Sequence, residues 1–257
     1  MNLKKHFFYL VVLFGYFFTS LNAKKETEHK EQLLAVLEEY CGVPNIDIIL
    51  FAPDNGRLYK MLIRGLIQTT SSDGSIQVAA FRFTDKEVKS DLIDAHNRGV
   101  KVEIVFDPGA MTSTFYSLAF SLCESGIAVY QYIPVGLIPL SQRINELQRI
   151  SYQAIMHHKT MLFKKTFGGK DIVVFGSLNF TTAGFYGNEE LVQVRNKSEI
   201  VAAISEHFEK LKTRSYKVET YRLIKPEILR NVQKIFARGI SYPALLIKKA
   251  QKISGLF

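Results

Sequence analysis

Between residues 46 and 133, short β-branched runs alternate with segments of helical periodicity, and each run is closed by a turn. Ile46–Phe51 ends at Pro53-Asp54-Asn55-Gly56, and Leu58, Met61, Leu62 and Leu66 then recur at helical spacing up to Ser71-Ser72-Asp73-Gly74. Ile76–Phe83 reads as a strand. Asp85–Asn97 reads as a helix with Val88, Leu92 and Ile93 inward, stopped at Arg98-Gly99. Val100–Phe106 is a strand ending at Asp107-Pro108-Gly109, and a helix around Phe115–Glu124 leads through Gly126 to the strand Ile127–Ile133. Strands and helices that alternate over short turns predict an α/β layer, with a mixed, largely parallel sheet flanked by helices.

After Ile133 the pattern changes. Pro134-Val135-Gly136-Leu137-Ile138-Pro139 is apolar, but its prolines prevent a central strand. It reads as a loop that borders a groove or packs on the core. Ser141–Ile150 follows as a short helix with Ser141 as N-cap.

With 257 residues, 47% of them hydrophobic, the chain can bury a core as one domain with an appendage. Its two cysteines exclude a disulfide-stapled miniprotein and a four-thiolate zinc module. At the start, Lys4 and Lys5 precede an apolar run from Phe7 to Phe18, followed by Thr19, Ser20 and Ala23. This pattern reads residues 1–23 as a signal peptide, with Leu21 near the cut leaving an uncleaved membrane anchor as the alternative. The run is shorter than the roughly 20 residues of a membrane span. The mature protein is then exported, either periplasmic or secreted, where Cys41 and Cys123 either pair or remain two separate buried thiols. Residues 24–45 read as a polar N-terminal helix and linker.

The net charge of +9 is unevenly placed. Residues 210–257 carry twelve Lys or Arg against Glu219 and Glu227, which leaves residues 24–209 slightly acidic. Pro226 and Gly239 bracket an amphipathic segment with Ile228, Leu229, Val232, Ile235 and Phe236 on one face and Arg230, Lys234 and Arg238 on the other. Another follows Pro243. Basic amphipathic helices of this kind bind phosphate backbones, lie on anionic membranes, or dock with a solvated lysine face.

The chemistry concentrates in Met156-His157-His158-Lys159-Thr160-Met161-Leu162-Phe163 and Ile172-Val173-Val174-Phe175-Gly176-Ser177-Leu178-Asn179. Both read as strands, joined as a hairpin through Gly168-Gly169-Lys170-Asp171. Alternation puts His157 and Lys159 on one face and His158 on the other. Ser177 and Asn179 share a face if the strand continues past Gly176. An imidazole, an ammonium, a hydroxyl and an amide together suit a phosphate: Lys159 neutralises charge, Ser177 and Asn179 donate hydrogen bonds, and His157 attacks or moves protons. A lone histidine on an apolar strand is most often a core residue, which is the reading for His158.

These residues resemble the phospholipase D superfamily, marked by His-x-Lys-x4-Asp followed by Gly-Ser-x-Asn. His157, Lys159, Gly176, Ser177 and Asn179 match, and Glu190 fits the downstream acid that orients the histidine. Phe51-Ala52-Pro53-Asp54, Phe81-Arg82-Phe83-Thr84 and the segment from Ala95 to Asp107 are similar to the opening strands of single-motif members. The resemblance implies a phospholipase D/nuclease fold over residues 46–210, with residues 211–257 as a basic helical extension. Two features depart from the family pattern: Lys164 stands where the motif has Asp, and the interval from Lys159 to Gly176 is longer than usual. Both fall at the turn end of the hairpin.

The resemblance further implies a phosphohistidine intermediate on His157, no metal and no cofactor. A metal held by His157 and Glu190 would need a further ligand, and none has suitable spacing. His29-Lys30, His96-Asn97-Arg98 and His207-Phe208-Glu209 are not His-x-Lys, so the second histidine of the reaction must come from another copy. That implies a homodimer with the active site at the interface. Phe185 and Tyr186 line the groove or simply pack. The expected function is an exported phosphodiesterase, an endonuclease cutting DNA or RNA. The alternatives are a cardiolipin-like lipid hydrolase, and an inactive relative that binds nucleic acid or a membrane.

Overall fold

The computed structural model describes residues 24–107, 113–132 and 155–218. The expected leader at 1–23, the apolar loop and short helix across 134–150, and the basic amphipathic segments after Pro226 lie outside the described residues.

A helix over residues 24–41 (α1) enters first, burying Leu33, Leu37 and Cys41 along one stripe at every fourth position. The elements that follow are β1 (Asp47–Ala52), α2 (Gly56–Thr69), β2 (Ser75–Ala80), α3 (Lys86–Asn97), β3 (Lys101–Phe106), α4 (Ser113–Glu124) and β4 (Ala128–Tyr132). The hairpin β5 (Lys159–Thr166) and β6 (Lys170–Gly176) comes next, then the short α5 (Thr182–Tyr186), β7 (Glu190–Arg195), α6 (Ser198–Thr213) and β8 (Ser215–Lys217). The hairpin turn passes through Gly168 at φ 65° and Gly169 at φ 74°, left-handed conformations that glycine adopts without steric cost.

All eight strands form one sheet in the order β1-β7-β6-β5-β2-β3-β4-β8. The sheet is mixed and flanked by helices, as expected, but parallel pairing is confined to β2–β3 and β3–β4. The hairpin β5–β6 is the reason. It inserts beside β2, so that every neighbour from β2 out to β1 runs antiparallel. β8 pairs antiparallel with β4, and a compact unit closes at Lys217.

Helix α6 packs on β2, β4, β5 and β6. Its Val201 meets Leu162 and Val173, while Phe208 and Leu211 meet Ala79, Val105 and Met156. Neighbouring β5 residues Met161 and Phe163 are buried on the alternate face, where α2 also contacts β5. Helix α3 is capped by Asp85, whose carboxylate accepts from the Glu87 and Val88 amides at 3.1 and 3.0 Å. Lys60 reaches Asp85 at 2.7 Å and Arg64 reaches Asp91 at 2.6 Å, which locks α2 to α3.

The hairpin end explains how Lys164 is accommodated. Its Nζ donates to Ser205 Oγ of α6 at 2.9 Å, so it ties sheet to helix. A carboxylate is still present nearby, on the returning strand: Asp171 Oδ1 accepts from the Lys165 amide at 2.9 Å. Among the described residues no disulfide joins Cys41, buried at the end of α1, to Cys123 in α4.

Candidate active site

Strand ends converge at one edge of the sheet. Lys159, the first residue of β5, pairs with Ala80, the last of β2. Gly176, the last residue of β6, pairs with Val192, and Glu190, the first of β7, pairs with Ala52, the last of β1. β3 ends beside them at Phe106, followed by Asp107. Main-chain geometry therefore gathers residues from six strands before any side chain is considered.

Lys159 is only 3% exposed, and its Nζ donates to the His157 carbonyl at 3.0 Å. The Phe81 ring lies 5.1 Å from that ammonium and 4.6 Å from the His157 ring. The Phe81 amide donates to the His158 carbonyl at 2.7 Å, which extends the β2–β5 ladder one step beyond the strand. The Met156 amide donates to the buried Asp107 carboxylate at 2.5 Å. The segment that carries His157 is thus fixed from both sides.

Ser177 is exposed, and its Oγ accepts from the Leu191 amide at 3.0 Å. Asn179 lies two residues on, where Phe180 bridges to Phe83 and its amide donates to the Arg82 carbonyl at 3.2 Å. The Asn179 Oδ1 atom is buried without a hydrogen-bond partner. Glu190 accepts from Asn188 Nδ2 at 3.2 Å and acts on His157 and Lys159 through its charge.

Partial burial and the neighbouring Lys159 push the His157 imidazole below its ordinary pKa, against the opposing pull of Asp107 and Glu190. At neutral pH it is therefore mostly the neutral base that a nucleophile must be. Burial also lowers Lys159, with Arg82 adding to the shift and Glu190 resisting it.

The residues named from sequence lie at the same edge of the sheet, but not through the strand alternation expected of them. β5 begins only at Lys159, so His157 precedes the strand, and β6 stops at Gly176. A Cβ on Gly176 would lie 2.1 Å from the Leu191 carbonyl oxygen, so the chain passes β7 too closely for any side chain there and then turns away. Ser177 and Asn179 sit on that turn, not on one strand face.

His158 is not a solitary core histidine. It is half-buried, with its Nε2 3.3 Å from His207 Nε2 of α6, and burial followed by His207, Lys159 and His157 lowers its pKa. Phe185 is buried and packs near Tyr59, whereas Tyr186 is 49% exposed. Asp107, Phe81 and Arg82 also stand at this edge, without a local sequence pattern that marks them as site residues. Each ends a strand or follows one, and only the pairing of β2 with β5 and β3 reveals their place. Among the described residues no three His, Cys, Asp or Glu side chains converge as metal ligands.

Fold and edge site together define an α/β domain whose polar groups stand at strand ends around a His-x-Lys pair. A family model described as cardiolipin synthase, PLD-like domain, matches residues 64–212, more than half of the chain, and the protein belongs to this phospholipase D-like family. The mitochondrial cardiolipin hydrolase of Xenopus laevis is 26% identical over 148 residues, covering 58% of this chain and 59% of that protein. That of Danio rerio is 28% identical over 141 residues, covering 55% and 52%. The chain thus spans somewhat over half the length of these curated relatives. The phospholipase D family member Nuc from Salmonella typhimurium superposes with a TM-score of 0.54 at 21% identity, covering 68% of this chain and 99% of that one. NucT from Helicobacter pylori gives 0.55 at 17%, with the same coverage. At these identities the likeness establishes the fold.

Proposed function

We propose that the protein is an exported phosphodiesterase that hydrolyses nucleic acid, DNA or RNA, as a metal-independent endonuclease. The observation that carries this reading is the seating of Lys159. A buried ammonium is held against the His157 main chain, next to an imidazole whose pKa is lowered, with Ser177 and Asn179 at the same edge.

In this reading a phosphodiester docks with its non-bridging oxygens toward Lys159, Ser177 and Asn179. His157 attacks phosphorus, the bond to the leaving oxygen breaks, and a phosphohistidine forms. The leaving oxygen takes its proton from the partner's His157, since each chain carries one His-x-Lys. Water then attacks phosphorus, the partner's His157 accepts its proton, and the P–N bond breaks to release the product and the free imidazole. Glu190 holds positive charge on His157 as it develops. The exposed Arg82, close enough to act on Lys159, supplies a further cation for a neighbouring phosphate of a polyanionic chain.

A specific observation favours lipid as the second substrate class. Ile155, two residues before His157, is 50% exposed and places apolar surface beside the nucleophile. The curated relatives, named cardiolipin hydrolases, point the same way.

The test incubates the full chain in EDTA with single- and double-stranded nucleic acid and with cardiolipin vesicles, alongside His157→Ala. Cleavage of nucleic acid that resists EDTA and disappears in His157→Ala is the expected result. Turnover of vesicles alone replaces the nuclease with the lipid hydrolase, and no turnover of either leaves a binding protein. Full specific activity in a protein that sediments strictly as a monomer rules out the shared site.

A further inference from the structure

We propose that His158 and His207 form a binding site for a late first-row divalent cation, of which Zn2+ is the natural probe, at the junction of β5 and α6. His158 and Thr160 alternate with Lys159 along the segment leading into β5, so the site lies on the α6 side of the sheet, away from the Lys159 ammonium. It has no part in the hydrolysis proposed above.

The first support is the geometry of the two imidazoles. Their Nε2 atoms are 3.3 Å apart. That spacing suits a hydrogen bond whose donor the tautomer decides, and it is also the spacing of two ligands on one cation. Two nitrogens bound tetrahedrally at about 2.0–2.1 Å from one zinc ion must lie about 3.3–3.4 Å apart. The ring centroids are 4.9 Å apart with planes inclined by 31°, so the rings stand side by side instead of end to end. In the tautomers that carry their proton on Nδ1 both Nε2 atoms offer a lone pair, and a shared cation then takes the place of the hydrogen bond between them.

The second support is independent. Gln77 lines the same narrow cleft, about 20 Å3 in volume, as the two histidines and is only 6% exposed. Its Nε2 donates to Glu209 at 2.9 Å, but its Oε1 is buried without a partner. Cation-bound water is a strong donor, and completing the coordination shell with water gives this orphaned carbonyl its hydrogen bond. His207 is exposed on α6, so a cation and its waters can enter from solvent. Occupancy ties the segment that carries His157 to α6, which turns the site into a brace for the motif from behind.

The experiment reads binding, not turnover, so it stands or falls separately from the hydrolase assay. The untagged full chain is stripped with EDTA, desalted, and titrated calorimetrically with Zn2+, then with Co2+ while its visible absorption is recorded. One equivalent of Zn2+ and the intense visible bands of four-coordinate cobalt are expected. His207→Gln, an exposed substitution, weakens both by more than about tenfold. His157→Gln leaves them unchanged, which separates this site from the nucleophile. Zn2+ raises the melting temperature of the wild type but not of His207→Gln. Equal Zn2+ affinity in wild type and His207→Gln, or no stoichiometric uptake by the wild type, overturns the proposal.

Discussion

The Lys159 ammonium donates its hydrogen bond to the main-chain carbonyl of His157, two residues back, at 3.0 Å from a position that is 3% exposed. A charge this deep, with a carbonyl and an aromatic ring as its neighbours, contributes little to folding because its desolvation offsets what those contacts return. Lys159→Met keeps the unbranched shape and removes the charge. Its stability is expected to stay within about 1 kcal/mol of wild type, the loss of the contact with Phe81 being balanced by relief of the buried charge. Phosphodiester turnover should fall by about 10²–10³-fold. Parallel urea melts and initial rates measure the two, and a variant equally crippled in both would show that Lys159 is structural.

Gly176 is set by backbone proximity. Added atoms there meet the Leu191 carbonyl at 2.1 Å and the Val192 Cα at 2.8 Å, and both belong to a rigid strand. Gly176→Ala must push β6 from β7 and disturb the 3.0 Å bond from the Leu191 amide to Ser177 Oγ. The expected cost is about 1–3 kcal/mol or more, seen as a lower denaturation midpoint, with activity falling further than Ser177→Ala alone. An Ala variant of wild-type stability would mean that β6 and β7 separate here without cost.

How much of this could be read from the sequence depends on distance along the chain. β1 to β4, α2 and α3 announce themselves through β-branched runs and helical spacing, and each is found within about three residues of its expected place. β7 and α6 carried no expectation, although Val201, Phe208 and Leu211 are spaced as one buried helical face. The His-x-Lys and Gly-Ser-x-Asn segments are local and legible. Asp107, Phe81 and Arg82 become site residues only through long-range pairing, which no local pattern encodes. The same is true of strand direction. Alternating strands and helices suggested mostly parallel neighbours, and one hairpin placed beside β2 reverses them.

Asp107 holds the lead-in to His157. Its buried carboxylate accepts the Met156 amide at 2.5 Å. Asp107→Ala leaves that buried donor unsatisfied at a cost of about 1–3 kcal/mol, and lets His157 drift. A misplacement on the order of 1 Å can cost about 10²-fold in rate. Asp107→Asn keeps an acceptor and should recover much of both. The decisive reading is kcat against KM: a positioning role lowers kcat and leaves KM nearly unchanged, whereas direct contact with substrate would raise KM.

Glu103 provides a pH test on the α6 side of the sheet, away from the chemistry. Burial disfavours its charge, but the Lys101 ammonium at 2.9 Å and a hydrogen bond from Lys212 at 3.0 Å outweigh that and hold the carboxyl below its ordinary pKa. A carboxylate with a depressed folded pKa binds its proton more weakly folded than unfolded. Its contribution is therefore complete above the unfolded pKa, about 4.3, and is lost as pH falls through the folded value. Glu103→Gln should be less stable than wild type by about 1–3 kcal/mol at pH 7. The gap should close progressively from about pH 5 downward as the wild type gives up the same interaction. Urea midpoints of both proteins from pH 7 to pH 3 measure it. A gap that stays constant across that range would mean the loss in Glu103→Gln comes from packing and not from the ionised carboxylate.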